Sequence, residues 1–306
     1  MPIKALLLRL HRWTTLVFAL PLLAVIASGL LLSFEPMAQH APLATPLTRE
    51  AVLGWLATHD AAGKATGLTV RAYEQTLGIS GAGPAGEVEI DLTTGQPIVD
   101  DGGFAWSEAF RTARQLHERL LMDLGWLVTA STVAMLAIAA LGIAMGLPRL
   151  RNTLGGWHNG VAWGTLPLLI LSPLTGLAIV WGISFAPAAS GPRPERLTIR
   201  EAVERVAERH DLANLTSLRP RGGRMLARVY VDGSLQGFAV SKAGLVAAPT
   251  NWPRALHEGN WHWLWGSLAN IVVSFALLGL WSTGLLIWLR RKLRPRQRQR
   301  AAVPAE

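Results

Sequence analysis

The 306-residue chain contains no cysteine. That removes disulfides, thiolate-held iron–sulfur clusters and covalent c-type haem attachment. Charge is scarce as well: only 16% of the residues are charged and half are hydrophobic, far from the balance of a soluble domain. Four stretches lack Asp, Glu, Lys and Arg for long enough to cross a bilayer, which takes about 20 residues. They are Trp13–Phe34, Leu124–Pro148, a segment within Asn152–Pro192, and Gly259–Leu289. The third is too long for one helix, and its apolar heart runs from about Val161 to Phe185. Acids are missing from one further place, Arg290–Arg300, which carries seven Lys/Arg and leaves only +2 of the net charge of +9 for the remainder.

These runs predict a multi-pass membrane protein. The segments are transmembrane helices at 1–34, 117–148, within 149–185 (with a cytoplasmic loop) and at 257–290, loops at 35–116 and 186–256, and a basic tail at 291–306. Residues Lys4, Arg9 and Arg12 give the first segment the look of a signal peptide. Its uncharged stretch is too long for one, and "LPLLAVIASGLLLSF" returns deep in the chain as "LPLLILSPLTGLAIVWGISF". Basic residues at Lys4/Arg9/Arg12, Arg149/Arg151 and the tail fall on one side, which places both termini in the cytoplasm. Beside a membrane helix such a tail fixes topology and touches anionic lipid rather than nucleic acid.

The two long loops then lie outside. Each begins with a helix-like stretch ("LTREAVLGWLATHD", "LTIREAVERVAERH") and continues with alternating segments broken by Gly ("EVEIDLTTGQPIV", "ARVYVDGSLQGFAVSKAGLV"). "GAGPAG" (Gly81–Gly86) matches a dinucleotide fingerprint only formally; no helix pattern follows it, so it reads as a hairpin loop. The expected fold is a membrane all-α four-helix bundle with two small extracytoplasmic α+β modules, built as a parallel internal repeat.

"RQLHE" (Arg114–Glu118) and "RALHE" (Arg254–Glu258) repeat Arg, Leu, His and Glu in one register, each just before a long apolar run. His117 and His257 thus stand at the outer membrane edge, while His11 and His158 open their segments at the inner edge. His40, His59 and His210 fall in the loops and read as ordinary surface residues. Gly29 follows His11, and Gly176 follows His158, by eighteen residues, or five helical turns, about 27 Å along one face. Gly142 follows His117 by twenty-five residues, close to seven turns. Each such helix would offer a ligand at one edge and a surface without Cβ at the other.

Ionisable residues inside a membrane are costly and usually functional, although one interfacial His can simply snorkel. Zinc would want three or four ligands, usually with Cys or carboxylate. Pairs of imidazoles (His11 with His158, His117 with His257) suit two haem b groups instead, with the flat ring against the glycine faces. Arg114 and Arg254, three residues before their histidines, could pair with propionates there, as Arg9, Arg12, Arg149 and Arg151 could inside.

The segments "LHRWTTLVFALPLLAVIASGLLLSF", "LHERLLMDLGWLVTASTVAMLAIAALGIAMGLPRL" and "LHEGNWHWLWGSLANIVVSFALLGLWSTGLLIWLRR" resemble the PepSY-associated transmembrane family. The loop modules resemble degenerate PepSY domains. The resemblance implies a bacterial inner-membrane protein with two haems, akin to iron-regulated membrane proteins and ferric-siderophore reductases. By that resemblance His11, His158, His117 and His257 are the ligands. Aligning the last helices by Gly142 and Gly284 puts their histidines two residues out of step, which keeps His262 open as a substitute for His257. The expectation is an electron conduit: a cytoplasmic reductase or quinol as donor, and a periplasmic ferric chelate as acceptor. No cytoplasmic loop is long enough for a nucleotide or flavin domain. Two rivals stay open, a haem-free PepSY sensor, scaffold or protease regulator, and a small transporter with a histidine proton relay.

Overall fold

The computed structural model describes residues 3–83, 86–99, 102–147, 151–186 and 197–293. Arg149 and the basic run from residue 294 onward lie outside the described residues. In chain order the first half contains α1 (Ile3–Val17), α2 (Ala19–Leu32), the single turn α3 (Glu35–Ala38) and α4 (Arg49–His59). Then come β1 (Gly67–Arg71), β2 (Thr76–Ser80), β3 (Glu87–Asp91), α5 (Trp106–Arg119) and α6 (Gly125–Ala144). The second half contains α7 (Leu154–Gly164), α8 (Leu166–Val180), α9 (Ile199–Ala207), β4 (Leu215–Arg221) and β5 (Arg224–Val231). It ends with β6 (Ser234–Ser241), β7 (Gly244–Ala247), α10 (Trp252–Glu258) and α11 (Trp263–Leu293). The described residues form two compact units, one within Met1–Leu32, Thr112–Gly182 and Ala269–Glu306, the other within Ser33–Arg111 and Ile183–Leu268.

The loop unit corrects the expected fold. The chain is not an all-α bundle with two separate modules: both loops contribute strands to one antiparallel sheet, ordered β3-β2-β1-β4-β5-β6-β7. The halves meet at β1 and β4, where Leu68 faces Leu218 and Thr69 faces Ser217. Left apart, each three- or four-stranded sheet would present an unpaired edge and half a core. Joined, they share one apolar layer: Val52 and Leu56 of α4 and Val203 and Val206 of α9 cover Leu68, Leu77, Ile79, Leu218, Ala227 and Val229.

Local chemistry fixes the pieces as the sequence suggested. Thr48 caps α4 by accepting from the Ala51 amide. Thr198 and Glu201 form a reciprocal capping box at α9. The Asp232–Gly233 turn between β5 and β6 has φ of 50° and 76°, the mirror-image turn that matches strand twist. Gly81–Gly86 is indeed a hairpin loop, closed by the Gly81 amide donating to the Gly86 carbonyl at 2.6 Å between strands that pair Ser80 with Glu87.

Among the described residues, three helices are long and apolar enough to span a membrane: Ala19–Ala38, Gly125–Ala144 and Trp263–Leu293. The expected third span is instead the pair α7–α8, bent by 62°. Pro167, in the first turn of α8, has no N–H for the carbonyl four residues back and breaks the ladder there. The expected first, second and fourth helices are also divided, the first at Phe18 between α1 and α2. Leu120, Leu121 and Asp123 take φ of 51°, 62° and 58° between α5 and α6, and Gly259 takes 75° after α10. Each Arg-x-Leu-His-Glu copy therefore ends a helix of its own, ahead of the apolar one.

Candidate histidine sites

Three of the proposed ligand histidines have their Nδ1 atoms committed to partners within the apolar unit. His11, on α1, has Nδ1 3.1 Å from the Ile138 carbonyl of α6. A carbonyl only accepts, so Nδ1 carries the proton and Nε2 keeps its lone pair. On α7, the Nδ1 of His158 lies 2.8 Å from Thr283 Oγ1 of α11. The Thr283 hydroxyl spends its own proton on the Gly279 carbonyl at 2.6 Å, so it accepts from His158. His117, in the last turn of α5, donates from Nδ1 to the Val25 carbonyl at 2.9 Å, with Ser28 Oγ at 3.3 Å. Ser28 likewise gives its proton to the Ala24 carbonyl at 2.7 Å.

All three rings are thus held as Nδ1–H tautomers with Nε2 as the potential donor atom. Metal-ligating histidines are held in the same way, the second nitrogen fixing tautomer and orientation. His158 and His11 are also near enough for their charges to interact.

Glycine sits against two of the rings. A Cβ on Gly29 would lie 3.1 Å from His117 Cε1 and 3.4 Å from its Nδ1, closer than ordinary contact. One on Gly284 would lie 3.6 Å from His158 Cε1. Gly29 therefore faces the His117 imidazole itself, and because His11 stands on α1 and Gly29 on α2, the five-turn count along one helix does not hold here. Gly142 has nothing within 4 Å of its Cβ position. It stands on α6 while His117 stands on α5, so the seven-turn count across one helix does not hold. The bend between α7 and α8 likewise breaks the five-turn count from His158 to Gly176, which is half-buried on α8.

The arginines divide. Arg114 is half-buried on α5, one turn before His117. Arg254 is ion-paired within its own motif to Glu258 at 2.6 Å, and Glu258 also takes Arg228 at 3.5 Å. His257 occupies the last turn of α10. His262 stands just ahead of α11, its carbonyl accepting from the Gly266 amide at 2.7 Å, and its Nδ1 is buried without a hydrogen-bond partner among the described residues.

Sequence reasoning missed Ser28 and Thr283, the hydroxyls that orient His117 and His158. Their signal was the residue before glycine in "ASG" and "STG". It also took His40 for a surface residue. That ring stacks on Trp263 at 4.7 Å and against Tyr230 at 4.0 Å, with Nδ1 bonded to the Pro36 carbonyl at 2.9 Å. Burial, with neighbouring His262, holds its pKa below the ordinary histidine value. Its partners are some 190 and 220 residues away, and no local pattern announces them.

Among the described residues no three His, Asp or Glu side chains converge as a zinc centre would require. The histidines stand instead as single oriented imidazoles. No curated protein matches the chain. The family profile described as PepSY-associated TM region matches residues 8–291, nearly the whole length, and the chain belongs to that family of membrane proteins.

Proposed function

We propose that this membrane protein binds two haem b groups and transfers electrons from a cytoplasmic-side reductase or quinol to a ferric chelate outside the membrane. His11 and His158 serve as the ligand pair of one haem, and His117 as a ligand of the other. For the remaining ligand the Arg-x-Leu-His-Glu repeat nominates His257. The observation that carries the reading is the shared state of three imidazoles: each donates its Nδ1–H, to Ile138, Thr283 and Val25, as metal-ligating histidines do.

A bound haem b supplies a one-electron carrier whose potential is set by its axial ligands and surroundings. The chain's own residues do the rest. Thr283 and Ser28 fix the planes of His158 and His117 and, by accepting from Nδ1–H, make the rings more basic ligands. Gly284 and Gly29 leave room for those rings to lie flush against their helices. Reduction of a ferric chelate follows from the family resemblance and from the orientation given by the basic residues.

Single-histidine variants test the assignment. His11→Ala and His158→Ala should each remove the same haem, with one optical and electron paramagnetic signature, while His117→Ala removes the other. If His11→Ala and His117→Ala abolish one haem together and spare the second, the assignment is wrong. His257→Ala should behave as His117→Ala does, and His262→Ala should retain both haems; the reverse pattern makes His262 the ligand.

A further inference from the structure

The sheet has one face covered by α4 and α9 and one face free of them, and charge on the free face is unevenly distributed. Strand alternation and register place Arg219 and Arg221 of β4 beside Arg224 and Arg228 of β5 on that face, because Arg221 pairs with Arg224 and Ser217 with Arg228. In the half built from the first loop, the protein neutralises such a charge itself. Arg71 of β1 is bonded to Glu89 at 2.9 Å and to Glu87 at 3.2 Å. Arg228 and Arg254 share the single carboxylate of Glu258. Arg219 and Arg221 are exposed and make no ion pair among the described residues.

These side chains form one cluster. Partial desolvation, then the like charges of Arg254, Arg219 and Arg228, push the Arg221 guanidinium below its ordinary range, with Glu258 opposing them. A second observation points the same way: Arg254 Nε is buried with no hydrogen-bond partner, although its Nη1 is satisfied by Glu258. Guanidinium forks match carboxylates and phosphates bidentately, and several converging forks with one counter-ion select an oxyanion of more than one charge.

We infer that Arg219, Arg221, Arg228 and Arg254 form a binding site for a multivalent oxyanion such as a polycarboxylate chelate. Resting on the proposed electron-transfer reading, the site gives the acceptor its chemical class. Arg254 lies one turn before His257 on α10, so the site borders the helix that carries that nominated ligand.

Citrate is the probe, measured by titration calorimetry on the full-length holoprotein in phosphatidylcholine nanodiscs. Citrate should bind, the affinity should fall as salt is raised, and the double variant Arg219→Gln/Arg221→Gln should lose at least tenfold in affinity. Both haems should remain in that variant, with an unchanged melting temperature. Nanodiscs containing phosphatidylglycerol separate the two sources of oxyanion. Citrate affinity unchanged there supports a soluble anion. Loss of citrate binding there makes the occupant a lipid headgroup and overturns the acceptor assignment. No citrate binding in either lipid, equal binding by wild type and variant, or loss of haem from the variant overturns the site. Haem absent from the wild type would instead defeat the electron-transfer reading, a result the citrate titration does not touch.

Discussion

Gly29→Ala adds one methyl group at a place where the distances foretell its effect. The new Cβ would stand 3.1 Å from His117 Cε1 and 3.4 Å from Nδ1, so the ring must withdraw by a few tenths of an ångström. It has little freedom to do so, being bonded to the Val25 carbonyl at 2.9 Å and to Ser28. Overpacking of this kind costs about 1–3 kcal/mol. At about 1.4 kcal/mol per tenfold, that is a loss of about 5- to 150-fold in affinity for the haem held by His117. Two further glycines calibrate the result. Gly284→Ala brings its Cβ only to 3.6 Å from His158, an ordinary contact, and Gly142→Ala meets nothing within 4 Å. All three substitutions gain about 1 kcal/mol of helix propensity, so their differences isolate the contact with the ring. Haem transfer to an excess of apomyoglobin gives the affinities. The predicted order of loss is Gly29→Ala, then Gly284→Ala, with Gly142→Ala at the wild-type level. Gly29→Ala holding haem as firmly as Gly142→Ala would refute the reasoning.

Two other predictions concern a hydroxyl and a half-buried histidine. Thr283→Val removes the acceptor 2.8 Å from His158 Nδ1, makes that ring a poorer donor and should raise the midpoint potential of the haem shared with His11. Thr283→Ser should restore it, and a potential unmoved in Thr283→Val would rule out the orienting role. His40 has its pKa depressed by burial and by His262, so the unfolded chain binds the proton more tightly than the folded one. Its contribution to stability is present above the ordinary histidine value of 6.5 and is lost as the pH falls from there toward the depressed value. Melting temperature against pH should therefore decline below that point in the wild type, and decline less in His40→Phe; parallel curves would contradict it.

How much of this was legible in the sequence depended on how local each cause was. The loop helices α4 and α9 were readable because a Thr cap precedes each, with Glu201 completing the box at α9. The hairpins were readable from their glycines. The union of the two loops in one sheet was not, since it rests on the pairing of Leu68 with Leu218 and Thr69 with Ser217. Nothing in either strand marks an edge that will find a partner about 150 residues away. Pro167 was a visible reason for the α7–α8 bend, yet composition alone made the stretch look like one span. The break after α5 was harder to see, because Leu120 and Leu121 adopt left-handed backbone that leucine rarely takes. Within the site, the contact of Gly29 with His117 could not be read from its spacing to His11, because that count crosses from α1 to α2. Gly142 was over-read because its count ran through the break after α5. Thr283 and His40 act across the fold, through contacts 125 residues apart in the first case and more in the second.

The most direct test of the central claim is the haem content of the purified wild-type protein, expressed with ample haem and measured as the pyridine haemochrome against protein concentration. Two b-type haems per chain, with low-spin bis-imidazole spectra, are predicted. A content near zero, or haem with one imidazole and an exchangeable sixth ligand, would contradict the account.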